Sequence, residues 1–463
     1  MGDDKRGRVR LRDVLRIDIP KLHAAITSEG VDANPAARVI LRVVEEKRSP
    51  YETEVLYCPP LPLLWAFRPG DGSAASVVHK TYVLALWSER GLMGRLRLLA
   101  HFLLWPPIVF GTMAWFTALN GRAVRRRSGK GISRQLYEQL QLSARHAILP
   151  PWYYMFDLFD DERFARARQY LRRDETKRGV YKMLKKPKGR RRLHDKVRFA
   201  IRCREHGVRT PDYLLAKRGS VRRPDDEAAD SLPKADLFAK PSRGRGGRGM
   251  ELWRYDGSGW SRDGAAAIDE ATLLAHFREL SKVEAYLIQR RLVPHADLAN
   301  LSGDILTTIR MVTVRNETGG HEATHAVFRM PNGPHAKVDN FHAGGLAAKV
   351  DIETGELGPG SDIGLRPDAA WHETHPDSGA PLEGRKIPYW KETLDLACRA
   401  HAALHHWAVI GWDIAIVDDG PVVIEGNSGA DLDIIQRSHL EPMGDSRFCE
   451  LLAHHLRELG HSD

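Results

Sequence analysis

Hydrophobic positions along this chain switch between a helical period near 3.6 and a strand period of 2, and the switches mark its elements. Residues 98–119, LLAHFLLWPPIVFGTMAWFTAL, form the longest apolar run, about the length that spans a bilayer. Pro106 and Pro107 stand in its middle. Proline removes a backbone donor and clashes with the preceding turn, so two shorter apolar helices are expected in place of one straight span. Those helices either pack in an N-terminal core or meet a membrane surface as a re-entrant pair, with a true span as the third reading. Residues 1–148 read as a separate, mostly helical region with a few strands such as 51–57. Pro150-Pro151 marks its boundary, and residues 152–171 follow with an aromatic entry, an acidic start and helical periodicity. A further helix covers 195–205, ended by Gly207, and VRTPDYLLA turns into a strand. Residues 217–234 are polar and proline-broken, which predicts a loop. Strands are predicted at 236–240, 250–255, 285–292 and 306–314.

The richest pattern is GWDIAIVDDGPVVIEGNSGAD, residues 411–431. Two β-branched runs flank Asp-Asp-Gly-Pro and predict an antiparallel hairpin. A three-residue loop over Asp418, Asp419 and Gly420 pairs Val417 with Pro421, and therefore Asp413 with Glu425. Side chains alternate along a strand, so Asn427 falls on the same side as Glu425. Two carboxylates and an amide oxygen thus converge among Ile and Val, where unpaired charge is costly. Oxygen ligands on a rigid hairpin suit Mg²⁺ bound together with substrate phosphates. A surface hairpin with acidic residues near its turn is the plainer alternative, and it leaves Glu-Gly-Asn-Ser-Gly after a buried strand unexplained. Earlier in the chain, DLFAK ends a short strand in Lys240 and PSRGRGGRGM follows. Glycines there let backbone N–H groups approach phosphate oxygens, and the lysine adds a point charge. The loop lacks a Walker pattern, and read alone it is equally a mobile linker.

Composition narrows the class. At 463 residues, 42% hydrophobic and 28% charged, the chain reads as an ordinary globular protein of two or three domains. Its four cysteines, Cys58, Cys203, Cys398 and Cys449, are scattered without Cys-x-x-Cys, which points away from a disulfide framework or zinc site and toward a reducing cytoplasm. The first residues, MGDDKRGRVRLRD, lack the apolar core of a signal peptide. The net charge of +10 gathers in two blocks, Arg122 to Lys130 and Lys182 to Arg192. Such blocks meet phosphates or anionic lipid, or form a solvated face. Without interleaved aromatics or a nucleic-acid module, nucleic-acid binding is not expected. The histidines show no consistent metal-ligand spacing.

The 411–431 segment resembles the metal-binding end of the ATP-grasp fold, in its sugar-transfer-associated branch related to α-L-glutamate ligases. The resemblance reaches back to about residue 193, and more weakly to 149. It implies an α+β protein in which two lobes clamp ATP, with Mg²⁺ held by Asp413, Glu425 and Asn427. By the same resemblance, Lys196 and Lys240 contact nucleotide phosphates under a glycine lid that includes Ser242, Gly244, Gly246 and Gly247. Gln289 lies beside the nucleotide in a hinge whose backbone recognises adenine. Where many relatives carry an acidic residue for the ribose, this chain has Gln289 and Arg290. Arg310 sits in the alternating strand LTTIRMVTV, where a charge among apolar neighbours must pair with something. In the family such an arginine faces the transferring phosphate; a structural salt bridge is the competing reading. Asn340, Gly344 and Gly345 resemble the Asn-x-x-x-Gly-Gly turn that shapes the substrate end, and Lys349 follows on a strand.

The expected architecture has four parts: a helical region 1–148 containing 98–119, the start of the ATP-grasp body at 149–235, a lid lobe at 236–292, and a C-terminal lobe at 293–463 with the metal hairpin. The expected activity is an ATP- and Mg²⁺-dependent ligase joining a carboxylate, free or carrier-linked, to an amine through an acyl phosphate. A phosphotransferase acting on a hydroxyl uses the same ATP residues, and a non-catalytic ATP-binding protein at a membrane surface is the reading from a different class.

Overall fold

The computed structural model describes residues 65–461, except 89–90, 104, 185–192, 194, 243–248, 304, 334–335 and 337. The strand expected at 51–57, most of the second basic block, and the loop glycines Gly244, Gly246 and Gly247 lie outside the described residues.

The N-terminal part is helical: α1 (Ala74–Ser88), α2 (Leu92–Leu103), α3 (Trp105–Ser128), α4 (Ile132–His146), α5 (Pro150–Met155) and α6 (Asp161–Ala165). The apolar run is divided, but not at the prolines. Pro106 and Pro107 occupy the first turn of α3, where backbone N–H groups have no helical acceptor and proline costs little. The division falls just before Trp105, with a bend of 44° between 92–100 and 105–128. Among the described residues no single helix is long and apolar enough to cross a membrane.

These helices share a core with the C-terminal lobe. Ala75, Val77 and Val78 of α1 join one apolar cluster with Val312, Phe448 and Leu452. Asn120 donates to the Leu365 carbonyl at 3.2 Å, and the Trp371 indole donates to Asp157 at 3.0 Å. Arg437, fully buried, reaches back to pair with Asp157 at 3.0 Å. A region expected to stand apart is therefore pinned by long-range polar contacts that local periodicity does not encode. Pro150-Pro151, read as a boundary, opens the buried helix α5.

The remaining chain forms two antiparallel sheets. The first runs β2-β1-β6-β3-β4-β5, from β1 (Tyr213–Lys217), β2 (Ser220–Arg222), β3 (Leu237–Pro241), β4 (Glu251–Tyr255), β5 (Trp260–Ser261) and β6 (Tyr286–Arg290). The predicted loop at 217–234 thus contains a short strand, β2, hairpinned onto β1. Before this sheet stands α7 (Lys196–Glu205), capped by Asp195, whose carboxylate accepts from the Val197 and Arg198 N–H groups at 3.1 and 3.2 Å. The helix α8 (Glu270–Val283) packs Leu273, Leu274 and Phe277 against Leu237, Ala239 and Ile288 of the sheet.

The second sheet runs β11-β10-β9-β8-β7-β12-β13. Its strands are β7 (Thr308–Arg315), β8 (His321–Met330), β9 (Leu346–Val350), β10 (Leu357–Ser361), β11 (Trp371–His372), β12 (Val409–Val417) and β13 (Gly420–Asn427). Between β11 and β12 lies α9 (Trp390–Ala403); α10 (Leu432–His439) and α11 (Arg447–Glu458) close the chain. Every residue of β12 is buried, so the strand carries apolar side chains on both faces. One face, with Ile309, Met311, Ile410, Trp412 and Ile414, packs on α9. The other, with Val312, Val314, Val327 and Val409, packs on α10, α11 and α1.

Candidate functional site

The site lies at the end of that second face. Strand register places Asp413 opposite Arg310 of β7 on one side and opposite Glu425 of β13 on the other. Paired residues share a face, so the three side chains form a row across three strands, and Asn427, two residues beyond Glu425, lies on the same face. The pairing of Asp413 with Glu425 is the one the sequence predicts, by a different route. The turn closes one residue tighter, with Val417 opposite Gly420 and Gly420 at φ +118°, and a bulge after Asp413 absorbs the difference. Gly426, between the two ligand candidates, has no room for a side chain. A Cβ there meets Leu193 at 2.7 Å and the Trp412 ring at 2.9 Å.

Asp413 is almost fully buried and held by arginines. Arg310 donates from Nε to Oδ1 at 2.6 Å and from Nη2 to Oδ2 at 3.2 Å, while Arg329 of β8 reaches Oδ2 at 3.1 Å. Burial alone raises a carboxyl pKa, but Arg310 and then Arg329 outweigh it and pull Asp413 down to about 2. Burial works against the Arg310 charge as well, and Asp413 reverses that, holding its pKa above the ordinary value. The partner that Arg310 requires is therefore Asp413 itself. Arg329 was not singled out by sequence reasoning, yet it stands in AVFRM as Arg310 stands in TIRMV, so the same rule finds it. It also donates to Thr308 at 3.0 Å and lies 3.5 Å from Asp339, which accepts from the Thr308 hydroxyl.

Glu425 has the opposite character. Burial and then the Asp413 charge push its carboxyl above the usual range, and Asn427 donates to Oε1 at 3.3 Å. Two carboxylates crowded so that one resists ionisation are a pair that a divalent cation would relieve. Each carboxylate oxygen offers two lone pairs, so arginine pairing and metal ligation are compatible on Asp413. The donor set, two carboxylates and an amide, fits Mg²⁺.

From the first sheet, Lys240 of β3 faces this row. Burial lowers its pKa to about 8, with Glu425 opposing the shift and Lys196 adding to it, which puts all three charges in one field. Its Nζ lies 5.2 Å over the Phe238 ring. Lys196 opens α7, its N–H donating to the Ser242 carbonyl at 3.3 Å and its Nζ to the Pro241 carbonyl at 3.4 Å. Ser242 is buried and donates its N–H to the Ala285 carbonyl at 2.6 Å, anchoring the start of the glycine loop. Gln289 is buried mid-strand on β6, between Tyr213 and Phe238.

Asn340 caps a short turn, accepting from the His342 N–H at 3.1 Å. Gly344 takes φ +104°, and a Cβ on Gly345 meets the Met330 carbonyl at 2.8 Å, so both glycines are required. His342 contacts Asp433 at 2.9 Å; burial disfavours charge on both, driving His342 down to about 3 and Asp433 up to about 7. Beside them Asp431 accepts from Lys177 at 2.9 Å and pairs with Arg173 at 2.6 Å. Burial would raise the Asp431 carboxyl, and Lys177 and Arg173 bring it to about 2. Neither cation was a sequence candidate, because both come from the N-terminal side of the chain and meet Asp431 only through the fold. Lys349 lies elsewhere, beside His325 and His439, whose pKa values burial lowers and Lys349 lowers further. The ligand atoms of His454, His455 and Glu458 lie within 4.8 Å of one another on α11, a proximity the sequence spacing did not announce.

A family model described as sugar-transfer associated ATP-grasp matches residues 176–442, more than half of the chain. The chain belongs to this ATP-grasp family. Its fold is accordingly the ATP-grasp fold, preceded by a helical region. No curated protein matches the chain by sequence. Among solved structures, D-alanine–D-alanine ligase from Bacillus anthracis aligns at 12% identity over 58% of this chain and 68% of its own, with a TM-score of 0.32. L-amino acid ligase from Bacillus licheniformis aligns at 13% identity over 57% of this chain and 48% of its own, TM-score 0.32. Biotin carboxylase from Campylobacter jejuni aligns at 10% identity over 59% of this chain and 47% of its own, TM-score 0.35. The chain spans about half the length of the last two. In this ATP-grasp chain the Asp413 row and Lys240 both lie within the matched residues, whereas α1 to α6 lie outside them.

Proposed function

We propose that this chain is an ATP- and Mg²⁺-dependent ligase that joins a carboxylate to an amine. The observation that carries the reading is the row Arg310, Asp413, Glu425 across three adjacent strands, with Lys240 in its field from the other sheet. Lys196, Lys240, Ser242 and the glycines of 244–247 are assigned to the nucleotide phosphates, and the strand carrying Gln289 to the adenine side. Asp413, Glu425 and Asn427 are assigned to Mg²⁺, which when bound neutralises phosphate charge. Arg310, with Arg329 behind it, offsets charge that develops on the transferring phosphoryl group. Asn340, Gly344 and Gly345 shape the substrate end, where Arg173 and Lys177 add positive charge.

In the reaction so assigned, a substrate carboxylate oxygen attacks the γ-phosphorus of ATP and ADP leaves. The amine nitrogen then attacks the acyl carbon, phosphate departs with the bonding pair, and the nitrogen loses a proton. Chemistry of this kind rests on positioning and charge, and it needs no protein nucleophile. The family description supports a sugar-linked setting such as amino-sugar or surface-polysaccharide metabolism, and scattered free cysteines fit a cytoplasmic one. The test incubates the protein with Mg²⁺, ATP and pools of acids and amines, and reads products by mass spectrometry. A new amide with stoichiometric ADP and phosphate supports the proposal. A phosphate ester without amide makes the protein a phosphotransferase, and no ADP with any pool removes the ligase reading.

A further inference from the structure

Seventeen large hydrophobic side chains stay exposed among the described residues, and ten of them fall between Phe67 and Leu119. On α2 they form a stripe: Leu92, Leu96, Leu99 and Leu103 recur at steps of four, three and four, with Met93 beside them. Leu92 and Leu103 are 75% and 76% exposed. A neighbouring face of α2 is the one turned inward, with Leu98 at 1% and Phe102 packed on the helical core. An amphipathic helix normally turns its apolar stripe to the core, so α2 is oriented for a second apolar phase. A second exposed apolar row lies on α3, where Pro107, Phe110, Gly111, Ala114 and Ala118 are exposed at helical spacing and Leu119 ends the run.

Basic groups border this surface. Arg122, Arg125 and Arg126 are exposed on the last turns of α3 and form no ion pair with a described residue. At the other edge Arg95 lies 5.4 Å from the Trp87 ring centre and donates to the Trp87 carbonyl at 2.9 Å. Trp87 is itself part-exposed, an amphipathic ring of the kind that settles at headgroup level. The other side of α3 is committed to the protein: Val109, Thr112, Ala123 and Val124 are buried and Asn120 is tied to Leu365. With that face tied to the core it shares with the C-terminal lobe, and with a 44° bend between the two helices, an in-plane contact fits α2 and α3 better than a straight span.

We propose that α2 and α3 form a docking surface for an anionic lipid bilayer, the leucine stripe entering the acyl boundary while Arg95, Arg122, Arg125 and Arg126 meet the headgroups. Apolar area supplies the depth of insertion and the arginines supply the preference for anionic lipid. The surface lies outside the ATP-grasp body, so the proposal is independent of the reaction assigned above.

The test is flotation of the full chain with vesicles of phosphatidylcholine alone or with one third phosphatidylglycerol. It compares the wild type with Leu96→Glu/Leu99→Glu/Phe110→Glu and with Arg122→Ser/Arg125→Ser/Arg126→Ser. Each variant is checked for an unchanged melting curve and for its size in solution. The wild type is expected to float with the anionic vesicles and to be released in part by salt. The glutamate variant should stay in the aqueous fraction with both vesicles. The serine variant should lose the lipid preference, each exposed arginine accounting for about fivefold in binding. Wild-type protein that stays aqueous with both vesicles overturns the proposal, as does a glutamate variant that floats equally well. A wild type that is dimeric in solution and becomes monomeric in the glutamate variant also overturns it, because a second copy then covers the stripe.

Discussion

On the seven-stranded sheet, Arg310, Arg329, Asp413 and Asp339 sit on strands and turns among largely apolar neighbours, deep enough that each is neutralised by another. On α2, Leu92, Leu96, Leu99 and Leu103 sit in water where such a helix carries charge. The first region is charge in an apolar place and the second is apolar surface in a polar place. They differ in how they are balanced. The sheet cluster is closed on itself through hydrogen-bonded ion pairs, so removing one member leaves its partners unpaired. The stripe is paired with nothing in the described residues, so changing it costs the fold little. A buried polar network announces itself through stability as well as activity, whereas an exposed apolar face announces itself only when its partner is present.

That contrast is sharpest at Asp413. Replacing it with alanine leaves Arg310 and Arg329 buried against each other, a loss of about 3 kcal/mol by comparison with broken buried pairs. Urea or thermal unfolding measures this, and a loss below about 1 kcal/mol would mean the arginines find water, so the cluster is not closed. Next in size is Gly426→Ala, which sets a methyl group against Leu193 and Trp412 and is expected to cost about 2 kcal/mol, the range of overpacked cores. If that variant is as stable as the wild type, β13 has freedom to move and the Asp413 to Glu425 register is not rigid.

A smaller effect tests the electrostatic link between the two sheets. Lys240 loses its proton near pH 8 instead of near 10.5, so its charge is present at pH 7 and largely gone by pH 9. ATP affinity should therefore weaken by up to about tenfold as pH rises from about 7 to 9, and Lys240→Arg, which keeps its charge, should flatten the profile. Equal pH profiles for the two proteins would place Lys240 outside the phosphate field. The smallest expected effect belongs to the stripe: Leu96→Glu/Leu99→Glu should change stability by no more than about 0.5 kcal/mol and leave ATP turnover in solution unaltered. A large loss of stability would make the stripe part of a core, and the comparison would fail.

What the sequence could tell follows the same division. The hairpin of β12 and β13 is legible because strand alternation and a turn signal are local, and they bring Asp413 and Glu425 opposite each other even though the turn and bulge differ from expectation. The helix over 195–205, Gly207 closing it and the strand that carries Lys240 are legible for the same reason. The strand arginines are legible as a problem, since a lone charge among apolar neighbours demands a partner, but the partner is set by register between strands about a hundred residues apart. Arg173, Lys177 and Asp431 were missed because two exposed-looking cations and an aspartate carry no pattern until the chain folds. The prolines of α3 misled in a specific way. They mark a helix break when interior and a helix start when first, and the sequence does not say which.

The central claim is that Asp413, Glu425 and Asn427 hold the metal that lets this ATP-grasp chain use ATP. Glu425→Gln tests it most directly, because it keeps the shape of the side chain and removes only its charge. The measurement is ADP release with Mg²⁺ and the acid and amine pair that the wild type converts, alongside the melting curve of each protein. The account predicts a variant that melts like the wild type and releases ADP at least about a hundredfold more slowly, the scale on which one charge-stabilising group acts. A Glu425→Gln protein that is folded and releases ADP at the wild-type rate would contradict it.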